Sequence, residues 1–167
     1  MSDTAIAIMD AAERRIRDAG YSGFSFREIA VDVGVKSASV HYHFPTKEAL
    51  AAAVARRYVD RFAEAIDREV SEGGDLVRAW QRVFRRALCE DGKMCLCGAL
   101  GATSRDLSPE VVAEVRRFFE DGVKKLVASG IAPDTALQVL ALLEGAMLVA
   151  NVLGDAALFD LATATLS

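Results

Sequence analysis

The chain has 167 residues, 52% of them hydrophobic and 26% charged, with a formal net charge of −4. That length fits one or two small domains, and the apolar share is enough for a packed core. Only 3 prolines and 12 glycines interrupt it, which excludes collagen-like, disordered and disulfide-scaffold classes and favours an all-helical protein.

The first helix is expected from Ser2 or Asp3 to Ala19. Ala5, Ile8, Met9, Ala12, Ile16 and Ala19 recur at helical spacing, and Gly20 stops it. After the turn GYSGFSF, Ser25 with Glu28 three residues on is a capping-box pattern. It opens a short helix, Phe26–Val33, which ends at Gly34. Ser37 is expected to cap the next helix, from Ala38 to about Phe44, before Pro45. Thr46 begins a long helix from Lys47 towards Val70, broken by Gly73 and Gly74. Further helices are expected from Asp75 to about Glu90, from Cys95 to Ser104, from Pro109 to about Ser129, from Pro133 to near Gly154, and from Asp155 to about Thr165. No strand pattern and no internal repeat stands out.

Charge is unevenly spread. Up to Tyr58 there are 8 Lys and Arg against 7 Asp and Glu; beyond it there are 12 against 17. From Lys36 to Lys47 lie two lysines, both histidines and no acid, a short basic island compatible with phosphates or with a plain solvated loop. The N-terminal stretch lacks a cationic start followed by an apolar core and a cleavage site, so no secretory signal is expected. The most apolar stretch, from Ala136 to Gly154, is interrupted by Gln138, Glu144 and Asn151. It reads as a bundle helix rather than a membrane span, and a cytosolic protein with no membrane partner is expected.

Two short helices joined by a glycine turn have the proportions of a helix-turn-helix. The second carries Ser37, Ser39, His41, Tyr42 and His43 and is too polar for an ordinary core helix. A helix meant for a major groove needs such small, hydrogen-bonding side chains on its outer face. Lys36 and Lys47 can neutralise phosphates on either side. The His41-x-His43 pair would suit a metal on a strand, but on a helix the two rings diverge and no carboxylate or thiol in the motif completes a site. No metal or cofactor is expected.

The stretch FSFREIAVDVGVKSASVHYHFPTKEAL, residues 24–50, resembles the DNA-binding domain of the TetR family of bacterial transcriptional regulators. That pattern has a Thr or Ser opening the second helix, Ile-Ala, a Gly-Val turn, a polar recognition helix ending in Tyr-x-His/Tyr-Phe, and Lys-x-x-Leu. Here these are Ser25, Ile29 and Ala30, Gly34 and Val35, Ser37 to Phe44 with Tyr42, His43 and Phe44, then Lys47 and Leu50. The resemblance covers about residues 4–58; beyond them only the helix layout matches. It implies phosphate contacts from Ser25, Arg27, Tyr42 and Lys47, and a groove-facing set of Lys36, Ser37, Ser39 and His41. His43 stands between phosphate contact and packing. Ile29, Ala30, Val35 and Phe44 are implied core.

The same resemblance implies a ligand pocket in the C-terminal bundle, with Trp80, Phe84, Met94, Leu100, Phe118, Phe119, Glu144, Met147 and Asn151 as candidate liners, each equally at home as core. Glu144 needs a partner if buried. Cys95 and Cys97, with Cys89 six residues before Cys95, are either candidate redox sensors or small fillers of a helix contact. The apolar helix near residues 134–153 must be covered on several sides, by a second copy together with residues 155–165 in the implied arrangement. The reading is thus an all-α protein: a helix-turn-helix domain over 1–46, a connecting helix over 47–70, and a ligand-binding and dimerisation domain over 71–167. Its expected function is that of a regulator, a repressor by preference, that binds double-stranded operator DNA as a homodimer and is released by a small-molecule effector. The rival is an all-helical dimeric ligand-binding protein or enzyme without DNA binding.

Overall fold

Signals at the helix ends account for most of the architecture. The computed structural model describes residues 2–166; the end residues of the expected 1–46 and 71–167 segments lie outside it. Among the described residues there are nine α-helices and no strand: α1 Asp3–Ala19, α2 Phe26–Val33, α3 Ser37–His43, α4 Lys47–Ser71, α5 Leu76–Asp91, α6 Leu96–Gly101, α7 Pro109–Ala128, α8 Pro133–Leu153 and α9 Ala157–Thr163. Ser2, Ser25 and Asp75 cap α1, α2 and α5, each accepting a backbone N–H three residues on.

Three expectations shift. Helix α3 begins at Ser37, not Ala38, with Lys36 at the cap position and no side-chain cap. The Lys36 carbonyl takes the Ser39 N–H at 2.8 Å, so the backbone closes the first turn unaided. Helix α6 is six residues long and gives way to a 3₁₀ turn over Ser104–Asp106. Helix α9 is shorter at both ends than expected; before its start the Asp155 side chain accepts the Ala157 N–H in a turn of its own.

The helices form two compact units, each discontinuous in sequence. The first holds the residues up to Val59 with Leu96–Val115. In it α1 buries Ala5, Ile8, Met9, Ala11, Ala12 and Ile16 and packs on α2, α3 and α6. Phe24, Ile29, Val40, Phe44 and Leu50 complete that core. Gly34, at φ 75° and ψ 32°, closes α2 in the left-handed region, and the Val35 N–H returns to the Ala30 carbonyl at 2.9 Å. A residue with a Cβ is strained there. Arg57 ties α4 to α1 through Asp10 at 2.8 Å and Glu13 at 3.0 Å. Arg56 reaches Glu114 of α7 at 2.7 Å.

The second unit comprises Asp60–Cys95 and Arg116–Ser167. Its core is an aromatic cluster. The Phe62 ring lies 5.4 Å from Trp80, 5.3 Å from Phe84 and 5.1 Å from Phe118 between centroids. Helix α8 lays Ala136, Val139, Leu140, Leu143, Ala146, Met147 and Ala150 against α5 and α9. By length and composition α8 could also cross a membrane; here one side of it is bundle core. Full burial of one such apolar side chain stabilises by about 1.5–3 kcal/mol. An exposed, solvent-screened ion pair such as Arg85 with Asp160 adds little beside that, so packing decides stability.

Gly122 of α7 marks the tightest point of this core. A Cβ built there meets the Trp80 indole Cη2 at 2.9 Å and Leu140 Cδ1 at 3.1 Å. Gly122→Ala gains up to about 1 kcal/mol of helix propensity, but forces a large ring to move, at a cost of about 1–3 kcal/mol. Net destabilisation is expected in urea unfolding, and a stabilised variant would show that the indole yields freely.

Candidate nucleic-acid interface and interior polar site

Helix α3 turns one apolar side chain inward and its polar ones outward. Val40 is fully buried, whereas Lys36, Ser37, Ala38, His41 and Tyr42 are exposed and Ser39 and His43 are half-buried. Tyr42 is 85% exposed, an unusual position for a large ring, and lies 5.1 Å from the His43 ring. The His41 imidazole rests on Phe26, the first residue of α2, at 4.6 Å, which fixes its direction away from the core.

The Lys47 ammonium sits above two rings, 4.6 Å from Tyr21 and 4.5 Å from Phe24. Both belong to the aromatic turn between α1 and α2. Partial burial holds the Lys47 pKa below the ordinary lysine value, against the opposing pull of Glu48 and Glu28. Tyr21 donates its hydroxyl to Glu48 at 3.2 Å, and its pKa is pushed up to about 12, mainly by burial and then by Glu48. The cradle holds Lys47 at the first turn of α4, whose Ala49 N–H bonds the Thr46 hydroxyl at 3.1 Å.

Ser25 is exposed, but its hydroxyl already accepts the Glu28 N–H at 3.3 Å and donates to the Glu28 carboxylate at 2.8 Å. Arg27 is exposed. Behind this face Arg15 of α1 grips Asp32 of α2 through two bonds, at 2.6 and 3.0 Å, and Glu28 at 3.2 Å. The Asp32 carboxyl is held below its usual range by Arg15, that of Glu28 by the Ser25 bond first and Arg15 next. Neither the Lys47 cradle nor the Arg15 brace follows from the sequence pattern; Tyr21 and Phe24 of GYSGFSF are the available signal for the cradle.

The nine DNA-facing candidates thus lie on α2, α3 and the start of α4, within one unit. The ligand candidates do not all come together. Leu100 lies in the first unit, and the other eight in the second. Trp80, Phe84, Phe118 and Met147 are buried; Met94, Phe119, Glu144 and Asn151 are half-buried as residues. Asn151 donates to the Gly92 carbonyl at 2.9 Å, and the Cys95 N–H points at the Met147 sulfur at 3.0 Å. Cys89 is exposed, while Cys95 and Cys97 are both fully buried, Cys97 in the first unit.

The Glu144 carboxyl is the anomaly of the interior. Both of its oxygens are shut off from solvent and lack a hydrogen-bond partner of normal geometry, and so does the Trp80 indole N–H. Burial pushes the Glu144 pKa well above the carboxylate range, and the neighbouring Cys95 thiol pushes it further.

Comparison with known proteins now bears on both units. Residues 8–54 match the model for bacterial regulatory proteins of the tetR family. A transcriptional regulator of that family from Agrobacterium tumefaciens superposes with a TM-score of 0.89 at 28% identity, over 96% of this chain and 94% of that one. Another, from Legionella pneumophila, gives 0.84 at 28% identity over 100% and 99%. The HTH-type transcriptional repressor DhaR of Mycobacterium sp. (strain GP1) is 32% identical over 108 residues, 63% of this chain. The matched stretch spans only 54% of that repressor. Residues 8–54 thus match the DNA-binding domain of the TetR family of bacterial transcriptional regulators, and the whole chain has the fold of regulators of that family.

The buried carboxyl generates a pH test. The folded chain keeps a proton on Glu144 that the unfolded chain releases near pH 4.3. Its contribution to stability is therefore present below that pH and is lost as the pH rises towards the raised folded value. Glu144→Gln, neutral throughout, is expected to raise Tm at pH 8 and to give no gain at pH 4. Thermal unfolding of both proteins across that range checks this; equal Tm values at pH 8 would contradict it.

Proposed function

We propose that the protein is a cytoplasmic repressor that binds operator DNA as a symmetric dimer and lets go when a small molecule binds the second unit. The observation that carries this reading is the outward polar face of α3, with Tyr42 left bare at its end and Lys47 cradled beside it. Lys36, Ser37, Ser39 and His41 face base edges in the major groove, where donors and acceptors can discriminate base pairs. Tyr42, Lys47, Ser25 and Arg27 contact phosphates and set the register; His43 assists from the half-buried side of α3. The Ser25 hydroxyl has one proton, which it gives to Glu28, so that bond must open before Ser25 can donate to a phosphate.

One such head reads too few base pairs for specificity, and a two-fold dimer supplies a second. The exposed stripe of α8 supports that dimer. Leu137, Ala141, Gly145, Leu148 and Val152 fall within about 80° of arc at about 100° per residue, and Leu137, Leu148 and Val152 are 60%, 50% and 73% exposed. Leu161 of α9 adds to the apolar surface at 74% exposure. A second copy presenting the same stripe covers it in an intermolecular four-helix arrangement. The effector acts by its different affinity for the DNA-competent and the released conformation.

Binding to the DNA flanking its own gene, followed over a salt series, tests the reading. Specific retention that weakens steeply with salt is expected, with half-sites one helical turn, about 34 Å, or a multiple apart. Lys47→Ala should weaken binding to all sequences about alike and lower the salt slope by about 1, whereas His41→Ala should cost about 1–3 kcal/mol at particular base positions. A folded dimer that, freed of ligand, binds neither this DNA nor a random pool would favour a helical ligand-binding protein without a DNA role.

The double variant Leu148→Arg, Val152→Asp should sediment as a folded monomer at micromolar concentration and lose operator binding. A variant that remains dimeric would place the interface elsewhere.

A further inference from the structure

Helix α8 carries a third strip between its core side and its exposed stripe. Leu140, Glu144, Met147 and Asn151 follow one another at spacings of four, three and four, so they line up within the helix. The connection after α5 runs along this strip. Gly92 takes the Asn151 amide and the Cys95 N–H meets the Met147 sulfur, which brings the Cys95 thiol beside the Glu144 carboxyl. At the other end the Trp80 indole and Leu140 converge on the same point above Gly122. Two buried polar groups that lack a hydrogen bond of normal geometry, the Trp80 N–H and the Glu144 carboxyl, thus belong to one unit, on helices α5 and α8 that pack on each other, in a setting that is otherwise aromatic, aliphatic and sulfur-lined.

We infer that the second unit takes a small organic cation, an amine or ammonium carried on an apolar body, with Glu144 as its counter-charge and the Trp80–Phe84 face as its aromatic wall. This rests on the reading that the second unit is an effector site. Four features set the sign of the ligand. A buried carboxylate is costly without an opposite charge. Among the described residues no lysine, arginine or histidine contributes to its field, and the ionisable group that does, Cys95, would itself become an anion. Both histidines lie in the first unit, so no imidazole is at hand to meet an anion. The rings of Phe62, Trp80, Phe84 and Phe118 present π faces that attract cations and do nothing for anions. The indole N–H is left to a single acceptor atom on the ligand's body, such as an ether or hydroxyl oxygen.

Trp80 is the only tryptophan of the chain, so intrinsic fluorescence reads this region alone. The experiment titrates the full-length dimer with matched probes: phenethylammonium against 2-phenylethanol, octylammonium against 1-octanol, and 3-phenylpropanoate as the anionic control. Expected is a change in Trp80 emission with each ammonium binding at least tenfold tighter than its alcohol, and no response to the carboxylate. In Glu144→Gln that preference should shrink to within about twofold while the alcohols bind as before. Alcohols binding as tightly as the ammonium ions in the wild type would overturn the inference and recast Glu144 as a neutral donor. A preference that survives in Glu144→Gln would equally overturn it, by placing the counter-charge elsewhere. Operator retention is measured alongside. DNA binding that no ammonium relieves but another ligand class does sinks the inference and leaves the repressor; ammonium selectivity in a protein that binds no DNA does the reverse.

Discussion

Helix α8 has more apolar circumference than its own chain covers. The side bearing Ala136, Val139, Leu143 and Ala150 is core against α5 and α9, while Leu137, Leu148, Val149 and Val152 face outward. Water is a poor solvent for a contiguous stripe of this kind. Ala141 and Gly145 lie within it, and nothing stands within 4 Å of where a Gly145 Cβ would be, so another backbone can come close there. In the proposed dimer this surplus surface is what brings two reading heads together. The specificity of the heads then depends on a constraint laid down at the opposite end of the sequence.

The reading head shows a complementary economy. Helix α3 is only seven residues long, too short to be stable by itself. It is held by one buried side chain, Val40, by the glycine turn that aims it, and by Phe26 under His41. Its outer face is therefore available for polar residues that contribute nothing to folding. Arg15 on Asp32 and Glu28 braces the preceding helix, so that α2 and α3 keep their angle while their surface side chains remain at liberty to vary.

Most of the helices were legible because each begins or ends on a local signal: Ser25 with Glu28, Thr46, Asp75, Ser108 before Pro109, and Gly34 or Gly154 at a left-handed stop. The misplaced ends are those where side-chain signals are weak. Lys36 caps α3 with backbone alone, and α6 stops at Gly101 among small residues, short of the expected Ser104. In the head, the exposure of Tyr42 and His41 follows from helical period. Lys47 between Tyr21 and Phe24 does not, since it joins residues more than twenty positions apart. In the second unit the oddity of Glu144 was visible as a charge in an apolar run. That Cys95, an acid rather than a base, lies beside it depends on the path of the α5–α6 connection, which no local pattern encodes.

Glu144 lies at the seam of α8, between the side that is packed and the side that is bare. A carboxyl kept there without a partner weakens the ligand-free fold above the ordinary carboxylate pKa, so its presence runs against stability alone. A cation seated beside it would relieve that strain in whichever conformation lets the two meet, and would favour that conformation by the difference. Because the same helix presents the stripe of the proposed dimer, a shift of α8 that accommodates the ligand also shifts the surface joining the two copies. Ligand chemistry and the surface of the proposed dimer would then be coupled through one helix twenty-one residues long.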